Sequence, residues 1–188
     1  RLAMVTRKTA NVFPEAGIIV SGGTIREIKR FLSDSQVFMA ITENRFCVRD
    51  GSTGYCTVGR LIDGTFPDYN QVIPKKLTGR CEVALPEFQK ILESLILSEE
   101  IRRVYAVFGE SPLVVGCSAA DLGESTGEVD CVARGEVHTI GLNAAYLLES
   151  LATRSGEKLV IEYSGPSSPV KITDPADDGW MSVVMPMK

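Results

Sequence analysis

The sequence predicts an α+β fold made of repeated units, in which helices pack on one side and antiparallel sheets form the other. The main observation is self-similarity: three segments share the order short strand, break, amphipathic helix and two alternating strands. Their predicted helices begin near Thr24, Pro86 and Asn143, at intervals of roughly 60 residues. The second observation is periodicity, because each helix carries an apolar stripe and each following strand alternates. One helix layer on one sheet layer buries both patterns.

The first unit is "AGIIVSGGTIREIKRFLSDSQVFMAITENRFCVRDG". Its helical stripe consists of Ile25, Ile28, Phe31 and Leu32, and its strand alternation of Val37, Met39 and Ile41. The glycines of "VSGGTI" lack the spacing and the lysine of a phosphate-binding loop, so we expect them to form a turn that caps the helix.

The second unit is "RCEVALPEFQKILESLILSEEIRRVYAVFGESPLVVGCS" and the third is "EVHTIGLNAAYLLESLATRSGEKLVIEYSGPSSPVKITD". Pro86 suits the first turn of the second helix, and Asn143 could cap the third. The helical stripes are Phe88, Ile91, Leu92 and Leu95, then Leu147, Leu148 and Leu151. The alternating strand positions are Val104, Ala106 and Phe108, then Leu159, Ile161 and Tyr163.

A break at "PKKLTGR" divides the chain into two predicted domains, residues 1–74 and 75–188. The second domain would be complete, whereas the first would be half of a similar one. Because the sequence begins with Arg1 rather than methionine, we expect a processed chain or a part of a longer one.

The composition excludes several classes of protein. The 188 residues are 44% hydrophobic with a net charge of −4, and no apolar run approaches the roughly 18 residues of a membrane span. No secretory signal is visible, which together with unpaired cysteines favours a cytoplasmic protein. The acidic balance disfavours a protein that coats nucleic acid by bulk charge but allows a local basic face.

The residue types that usually bind metals or catalyse reactions are dispersed along the sequence. The five cysteines, at positions 47, 56, 81, 117 and 131, and the single His138 do not have the spacing of a metal site, so we predict neither a metal nor a cofactor. Buried free thiols are the favoured interpretation, although Cys47 and Cys56 could face each other across a hairpin. His138 lies in a strand by pattern, which favours a structural role, and no catalytic motif is visible. A phosphate-ester hydrolase using carboxylates is the remaining enzymatic alternative.

Three surface features leave two interpretations open. Arg26, Lys29 and Arg30 share one helix face, which is either an ordinary solvated face or a contact for a phosphate backbone. The acidic run from Asp121 to Glu136 is expected to be a solvated face or loop. The tail "WMSVVMPMK" is either a terminal strand, in which Val183 could be the last residue, or an adaptable methionine-rich surface for peptides.

Three motifs resemble those of the bacterial β sliding clamps, the processivity subunit of DNA polymerase III. "RLIDGTFPDYNQVIP" resembles the family pattern K/R-L-[IV]-D-G-x-[FY]-P-[DN]-Y, "VVMPMK" resembles its C-terminal ending, and "TIGLNAAYLLESL" resembles its last helix. The resemblance covers essentially the whole chain. It implies the DNA clamp fold, a ring of two subunits in the full-length protein, and non-catalytic function in tethering a polymerase to duplex DNA.

The resemblance also implies a hydrophobic peptide-binding cleft. By position, its residues are Arg1, Leu2, Pro67, Gln71, Val72, Ser167, Pro169, Val183, Val184, Met185, Pro186 and Met187. Gln71 stands where some members have arginine, and Ser167 replaces an apolar residue. The implied partners are the polymerase III catalytic subunit, the clamp loader, other polymerases and repair factors, which bind through short motifs with glutamine and leucine-phenylalanine-like anchors.

The resemblance further implies that Arg26, Lys29 and Arg30 face DNA without reading its sequence. It places Ile96 and Leu97 at a subunit interface, although both could instead complete the core stripe of their helix. The alternative to an encircling clamp is a peptide-binding module that never encircles DNA. Neither alternative predicts a membrane partner.

Overall fold

The computed structural model describes residues 2–8, 17–33, 36–96, 103–119, 123–154 and 156–187. These residues form two compact units. The smaller unit contains the described part of residues 9–68, and the larger contains the described parts of residues 1–8 and 69–188. That residues 2–8 belong to the larger unit was not predicted. The domain limits of 1–74 and 75–188 stay a prediction.

The smaller unit packs one helix on a three-stranded antiparallel sheet. The elements are α1 (Gly22–Phe31), β2 (Val37–Ile41), β3 (Arg45–Asp50) and β4 (Cys56–Arg60), with strand order β2-β3-β4. The hydroxyl of Ser21 caps α1 by accepting a hydrogen bond from the backbone N–H of Thr24, 3.2 Å away. The prediction that "VSGGTI" forms a helix-capping turn is therefore correct.

The core of the smaller unit is narrower than the sequence predicts. Ile28 is buried against Phe46 and Val48, and Phe31 packs on this cluster. Ile25 and Leu32, which belong to the predicted stripe, are instead 49% and 39% exposed. A three-stranded sheet covers only part of the apolar face of its single helix, which leaves the flanking positions open.

A buried carboxylate joins the end of α1 to the β3–β4 turn. Asp50 accepts hydrogen bonds from the hydroxyl of Ser33 at 2.6 Å, the hydroxyl of Ser52 at 2.7 Å and the backbone N–H of Thr53 at 2.8 Å. These bonds, led by that from the Ser33 hydroxyl, hold the pKa of Asp50 well below its usual range. The ionised carboxylate therefore stabilises the folded unit.

The larger unit contains two antiparallel sheets. Its strands are β1 (Leu2–Val5), β5 (Gly79–Ala84), β6 (Arg103–Phe108), β7 (Leu113–Ala119), β8 (Gly123–Val129), β9 (Cys131–Arg134), β10 (His138–Asn143), β11 (Lys158–Tyr163), β12 (Val170–Asp174) and β13 (Asp177–Val184). The strand orders in the two sheets are β1-β13-β12-β11-β5-β9 and β10-β6-β7-β8.

Two helices, α2 (Leu85–Leu95) and α3 (Ala144–Leu151), pack on each other and on these sheets. Both begin where the sequence predicts, because Pro86 lies in the first turn of α2 and the side chain of Asn143 accepts from the N–H of Tyr146 at 3.0 Å. Phe88, Leu92 and Leu151 are almost completely buried in one continuous core. The predicted stripes of the two helices are confirmed.

Strand β1 adds the N-terminal residues to the edge of the larger sheet. Leu2 pairs with Val183 and Val5 with Trp180. Beyond the strand, Arg7 forms an ion pair with Asp177, 2.6 Å away, and Arg154 donates to the same carboxylate at 2.8 Å. These contacts, with the hydrogen bond from Arg7 first, lower the pKa of Asp177.

For the acidic run, the first of the two expected forms, a solvated face, is confirmed, whereas the expectation for the thiols needs correction. Within the described residues 123–136, β8 and β9 are strands that pair with β7 and β5. Their outer positions are exposed, so the expected solvated face exists on a strand rather than on a loop. The thiols are buried only at Cys81 and Cys117, whereas Cys56 is exposed. Cys56 lies on the solvent face of a narrow sheet, where no second layer covers it.

None of the helices in the described part of the chain is long and apolar enough to cross a bilayer. Within the same residues, no group of three or more histidine, cysteine, aspartate or glutamate side chains has the geometry to hold a metal ion.

Candidate functional site

An open pocket of about 330 Å³ lies in the larger unit, where the chain leaves β13 and reaches the other sheet. It is lined by Arg103, Thr139, Gly141, Pro166, Ser167, Met185, Pro186 and Met187. These residues come from the starts of β6 and β10, the β11–β12 turn and the tail. The pocket therefore depends on four segments that are distant in sequence.

A backbone hydrogen bond fixes the tail that forms one wall of this pocket. The N–H of Met187 donates to the carbonyl oxygen of Gly141, 2.8 Å away, at the edge strand β10. A Cβ at position 141 would lie 2.8 Å from the carbonyl oxygen of Met187 and 2.6 Å from Nε of Arg103. The tail and Arg103 can approach this closely only because residue 141 is glycine.

The surface of the pocket is apolar with a few polar groups. Met185 is 48% exposed, while Pro186 and Met187 are half-buried. Arg103 supplies a guanidinium group to the lining and Thr139 a hydroxyl. Such an arrangement binds an apolar side chain and orients a neighbouring polar or anionic group. Among the described residues that line it there is no histidine, cysteine or carboxylate that could act as a nucleophile or a general base.

The structure brings together four of the predicted cleft residues in this pocket: Ser167, Met185, Pro186 and Met187. The other predicted residues of the larger unit do not line it. Their positions are as follows: Val183 and Val184 are buried at the end of β13, Leu2 is half-buried opposite Val183, Pro169 is half-buried before β12, and Gln71 and Val72 are exposed at the short 3-10 turn Tyr69–Gln71.

Two predicted cleft residues cannot be placed against this pocket. Pro67 is exposed and belongs to the smaller unit, and Arg1 lies outside the described residues. The strand prediction for the tail was one residue short, because β13 extends to Val184 rather than ending at Val183.

Sequence reasoning missed Arg103, Thr139, Gly141 and Pro166 as pocket residues. Gly141 lies inside the "TIGLN" motif, but nothing local indicates that its neighbour is the chain end. Arg103 follows a charged run and looks like an ordinary surface residue. Only the register between β6 and β10, which pairs Arg103 with Asn143 and Tyr105 with Gly141, brings these groups together.

The three basic residues predicted to face DNA all lie on the exposed side of α1, away from buried Ile28. Arg30 forms an ion pair with Glu27, one turn earlier, at 2.8 Å. Arg26 and Lys29 form no ion pair with the described residues, so they contribute the uncompensated charge of this helix face. The role of the three residues stays a prediction.

Of the two residues predicted at a subunit interface, Ile96 caps the C-terminus of α2, is half-buried and packs against the core of the larger unit. This contact agrees with the core alternative and leaves part of the side chain exposed. Leu97 lies outside the described residues.

Comparison with known proteins identifies one family. The family described as DNA polymerase III beta subunit, C-terminal domain, matches residues 70–188. The chain is 28% identical to the beta sliding clamp of Caulobacter vibrioides (strain NA1000 / CB15N), with 92% of this chain and 47% of that protein covered. It is 26% identical to the beta sliding clamp of Escherichia coli (strain K12), with 100% and 52% covered.

A crystal structure of the beta sliding clamp of C. crescentus superposes with a TM-score of 0.89 at 26% identity, covering 99% of this chain and 50% of that chain. The predicted α+β DNA clamp fold is thereby confirmed. The chain spans about half the length of the curated relatives it matches. Together with the match over residues 70–188, these likenesses show that the chain belongs to the DNA polymerase III beta subunit, or beta sliding clamp, family.

Proposed function

We propose that this chain is part of a processivity factor that encircles duplex DNA and tethers the replicative polymerase, and that its pocket at residues 185–187 binds partner peptides. Membership of the beta sliding clamp family supports the first part of this proposal. The second part rests on one observation: an apolar pocket whose wall is held by the hydrogen bond between Met187 and Gly141.

The chemistry of the pocket suits a short linear motif. Burying two large apolar side chains contributes roughly 1.5–3 kcal/mol each, from which the cost of ordering the peptide is subtracted. The two anchors therefore supply at most about 6 kcal/mol, equivalent to a Kd of tens of micromolar or weaker, and binding this weak allows partners to exchange. Arg103 and Thr139 would receive a polar or acidic group beside the apolar anchors.

The mechanism we propose is topological and involves no catalysis. A closed ring of two full-length subunits around a duplex cannot dissociate without opening, so a tethered polymerase keeps a high effective concentration at its template. The catalytic subunit of polymerase III, the clamp loader, other polymerases and repair factors would bind the same pocket in turn. The site of action would be the bacterial cytoplasm.

Contact with DNA would come from the exposed face of α1. Arg26 and Lys29 are the stronger candidates, because Arg30 already pairs with Glu27. Contacts to phosphates carry no sequence information and weaken with salt, which is what sliding requires. The exposed or half-buried cleft positions of the larger unit, Leu2, Gln71, Val72 and Pro169, remain part of the proposed peptide surface.

The experiment that tests the ring uses the full-length protein assembled by its loader on circular duplex DNA. We expect gel filtration to show retention on the circle and loss after a single cut linearises it. Equal retention on linear DNA would contradict a topological link. Replacing Arg26 and Lys29 by glutamine should weaken retention at moderate salt, whereas Arg60→Gln, on the sheet face opposite α1, should not.

A second candidate is favoured by the span of the chain. All lining residues of the pocket lie in the larger unit, and the chain spans about half the length of its relatives. The chain alone would then bind peptides without encircling DNA. Peptide binding by the 188-residue chain, combined with no retention on circular DNA, is the result expected for this function.

A further inference from the structure

Two thiols meet on the solvent face of the smaller sheet, outside every site proposed above. Sγ of Cys47 lies 3.1 Å from Sγ of Cys56, across the β3–β4 hairpin. Cys47 pairs with Val58, and Cys56 precedes Val58 by two residues, so both thiols point to the same face. Both are free, Cys56 is exposed and Cys47 is half-buried.

Arginines surround this thiol pair on the same face. Arg45 is directly opposite Arg60, and Arg49 is directly opposite Cys56. All three are exposed, and none pairs with a carboxylate among the residues that the structure describes. An open pocket of about 470 Å³ is lined by Asn44, Arg45, Val58, Gly59 and Arg60.

Two like charges in direct register destabilise a strand pair unless an anion lies between them. The Arg45–Arg60 pair has no internal counter-ion in the described structure, and the space above it is open. Guanidinium groups favour carboxylates, with which they form paired hydrogen bonds. This face of the smaller sheet therefore combines two thiols that can act as nucleophiles with arginines that can bind an acidic molecule.

We propose that Cys47 and Cys56 form a reversible disulfide by exchange with an acidic low-molecular-weight disulfide, which the arginines of this face attract through its carboxylates. The exchange needs no other oxidant. It lies on the face opposite α1 and in a different unit from the peptide pocket, so it is independent of the proposed function.

The steps balance as a two-electron exchange. The Cys56 thiolate attacks one sulfur of the small disulfide, which forms a mixed disulfide and releases the first small thiolate. The Cys47 thiolate then attacks Sγ of Cys56, closes the protein disulfide and releases the second. The two protons lost by the protein end on the released thiols. The small disulfide is reduced, and the protein dithiol is oxidised.

The order in which the two thiols attack follows from the exposure of Cys56 and from the raised pKa of Cys47. The hydrogen bond with Cys56 and, secondarily, partial burial raise the pKa of the Cys47 thiol, which disfavours its thiolate form. Because the thiolate is the nucleophile, the exposed Cys56 reacts first and ring closure is the slower step. Closure should therefore accelerate as the pH rises above neutrality.

The test incubates the 188-residue chain with oxidised glutathione, blocks the remaining thiols by alkylation and maps peptides by mass spectrometry. We expect a peptide linked through Cys47 and Cys56, with Cys81, Cys117 and Cys131 alkylated. Cys47→Ser should stop at the mixed disulfide on Cys56. Replacing Arg45, Arg49 and Arg60 by glutamine should slow the reaction about tenfold at low ionic strength.

Cystamine, a cationic disulfide, is the matched control and should react with this arginine variant at least as fast as with wild type. Comparing glutathione and cystamine on wild type at low and high salt asks the same question without any substitution. Three results would overturn the proposal: a linked pair other than Cys47–Cys56, mixed disulfides that never close, or glutathione rates that are insensitive to both the arginines and salt.

Discussion

Truncating Met185 tests whether the pocket at the end of the chain binds peptides. Met185→Ala removes an exposed apolar side chain of the pocket without reaching the core, since β13 ends at Val184. We expect the fold to be retained and the affinity for a labelled clamp-binding peptide to fall. The protein for this test is the 188-residue chain, whose larger unit contains the complete lining.

The magnitude follows from the exposed fraction of this side chain. Fully burying a methionine contributes about 1.5–3 kcal/mol, and 48% of Met185 remains for a ligand to cover. The substitution should therefore cost about 0.7–1.5 kcal/mol of binding free energy, which is roughly a 3- to 12-fold increase in Kd.

Fluorescence anisotropy with the labelled peptide measures this change. Val132→Ala is the matched control, because Val132 is 61% exposed on β9 of the same unit and does not line the pocket. Wild type and Val132→Ala should bind alike. Equal affinities for wild type and Met185→Ala would refute the assignment of the pocket, and so would equal losses for both variants.

Two further outcomes follow from local geometry. Gly141→Ala should lower the affinity for the same peptide at least as much as Met185→Ala does, because the added Cβ would lie 2.8 Å from the carbonyl oxygen of Met187 and displace the tail. Unchanged affinity would show that peptide binding does not need the close approach of Met187 to Gly141. Asp50→Asn should lower the thermal midpoint at neutral pH, because an amide keeps only one of the two accepting oxygens and so loses either the hydrogen bond from Ser33 to Oδ2 or those from Ser52 and Thr53 to Oδ1. Since these bonds hold the pKa of Asp50 below its unfolded value, its stabilisation is present above about pH 4 and is lost as the pH falls toward the folded value. The difference between wild type and Asp50→Asn in thermal melts followed by circular dichroism should therefore shrink in acid, and a difference that is constant with pH would contradict this role.

The helices were predictable because their signals are local. Stripe, cap and first-turn residues such as Asn143 and Pro86 all act within a few residues of the helix start. Strands β8 and β9 were not predictable, because their glycines and carboxylates interrupt the alternation of apolar and polar residues that indicates a strand. Their strand conformation depends on pairing with β7 and β5, and a single strand carries no record of its partner.

The pocket was predictable only from the resemblance and only in part. The tail residues Val183 to Met187 are apolar, which indicated that they contact other residues. Arg103 and Thr139 could not be found, because neither is unusual in its own segment and both reach the tail through a sheet edge. The exposure of Ile25 was missed for a similar reason, since the width of the opposing sheet is a tertiary property.

Strand β13, which leads directly into the pocket, is bordered on one side by the first residues of the chain. The hydroxyl of Ser182 lies 3.3 Å from the carbonyl oxygen of Leu2, although 180 positions separate them. Removing residues 2–8 would convert β13 into a bare sheet edge and release the carboxylate of Asp177 from one of its two arginines. The N-terminal segment therefore supports the strand that leads into the proposed peptide pocket, and we expect tags or truncations at residues 2–8 to weaken peptide binding at the other end of the sequence.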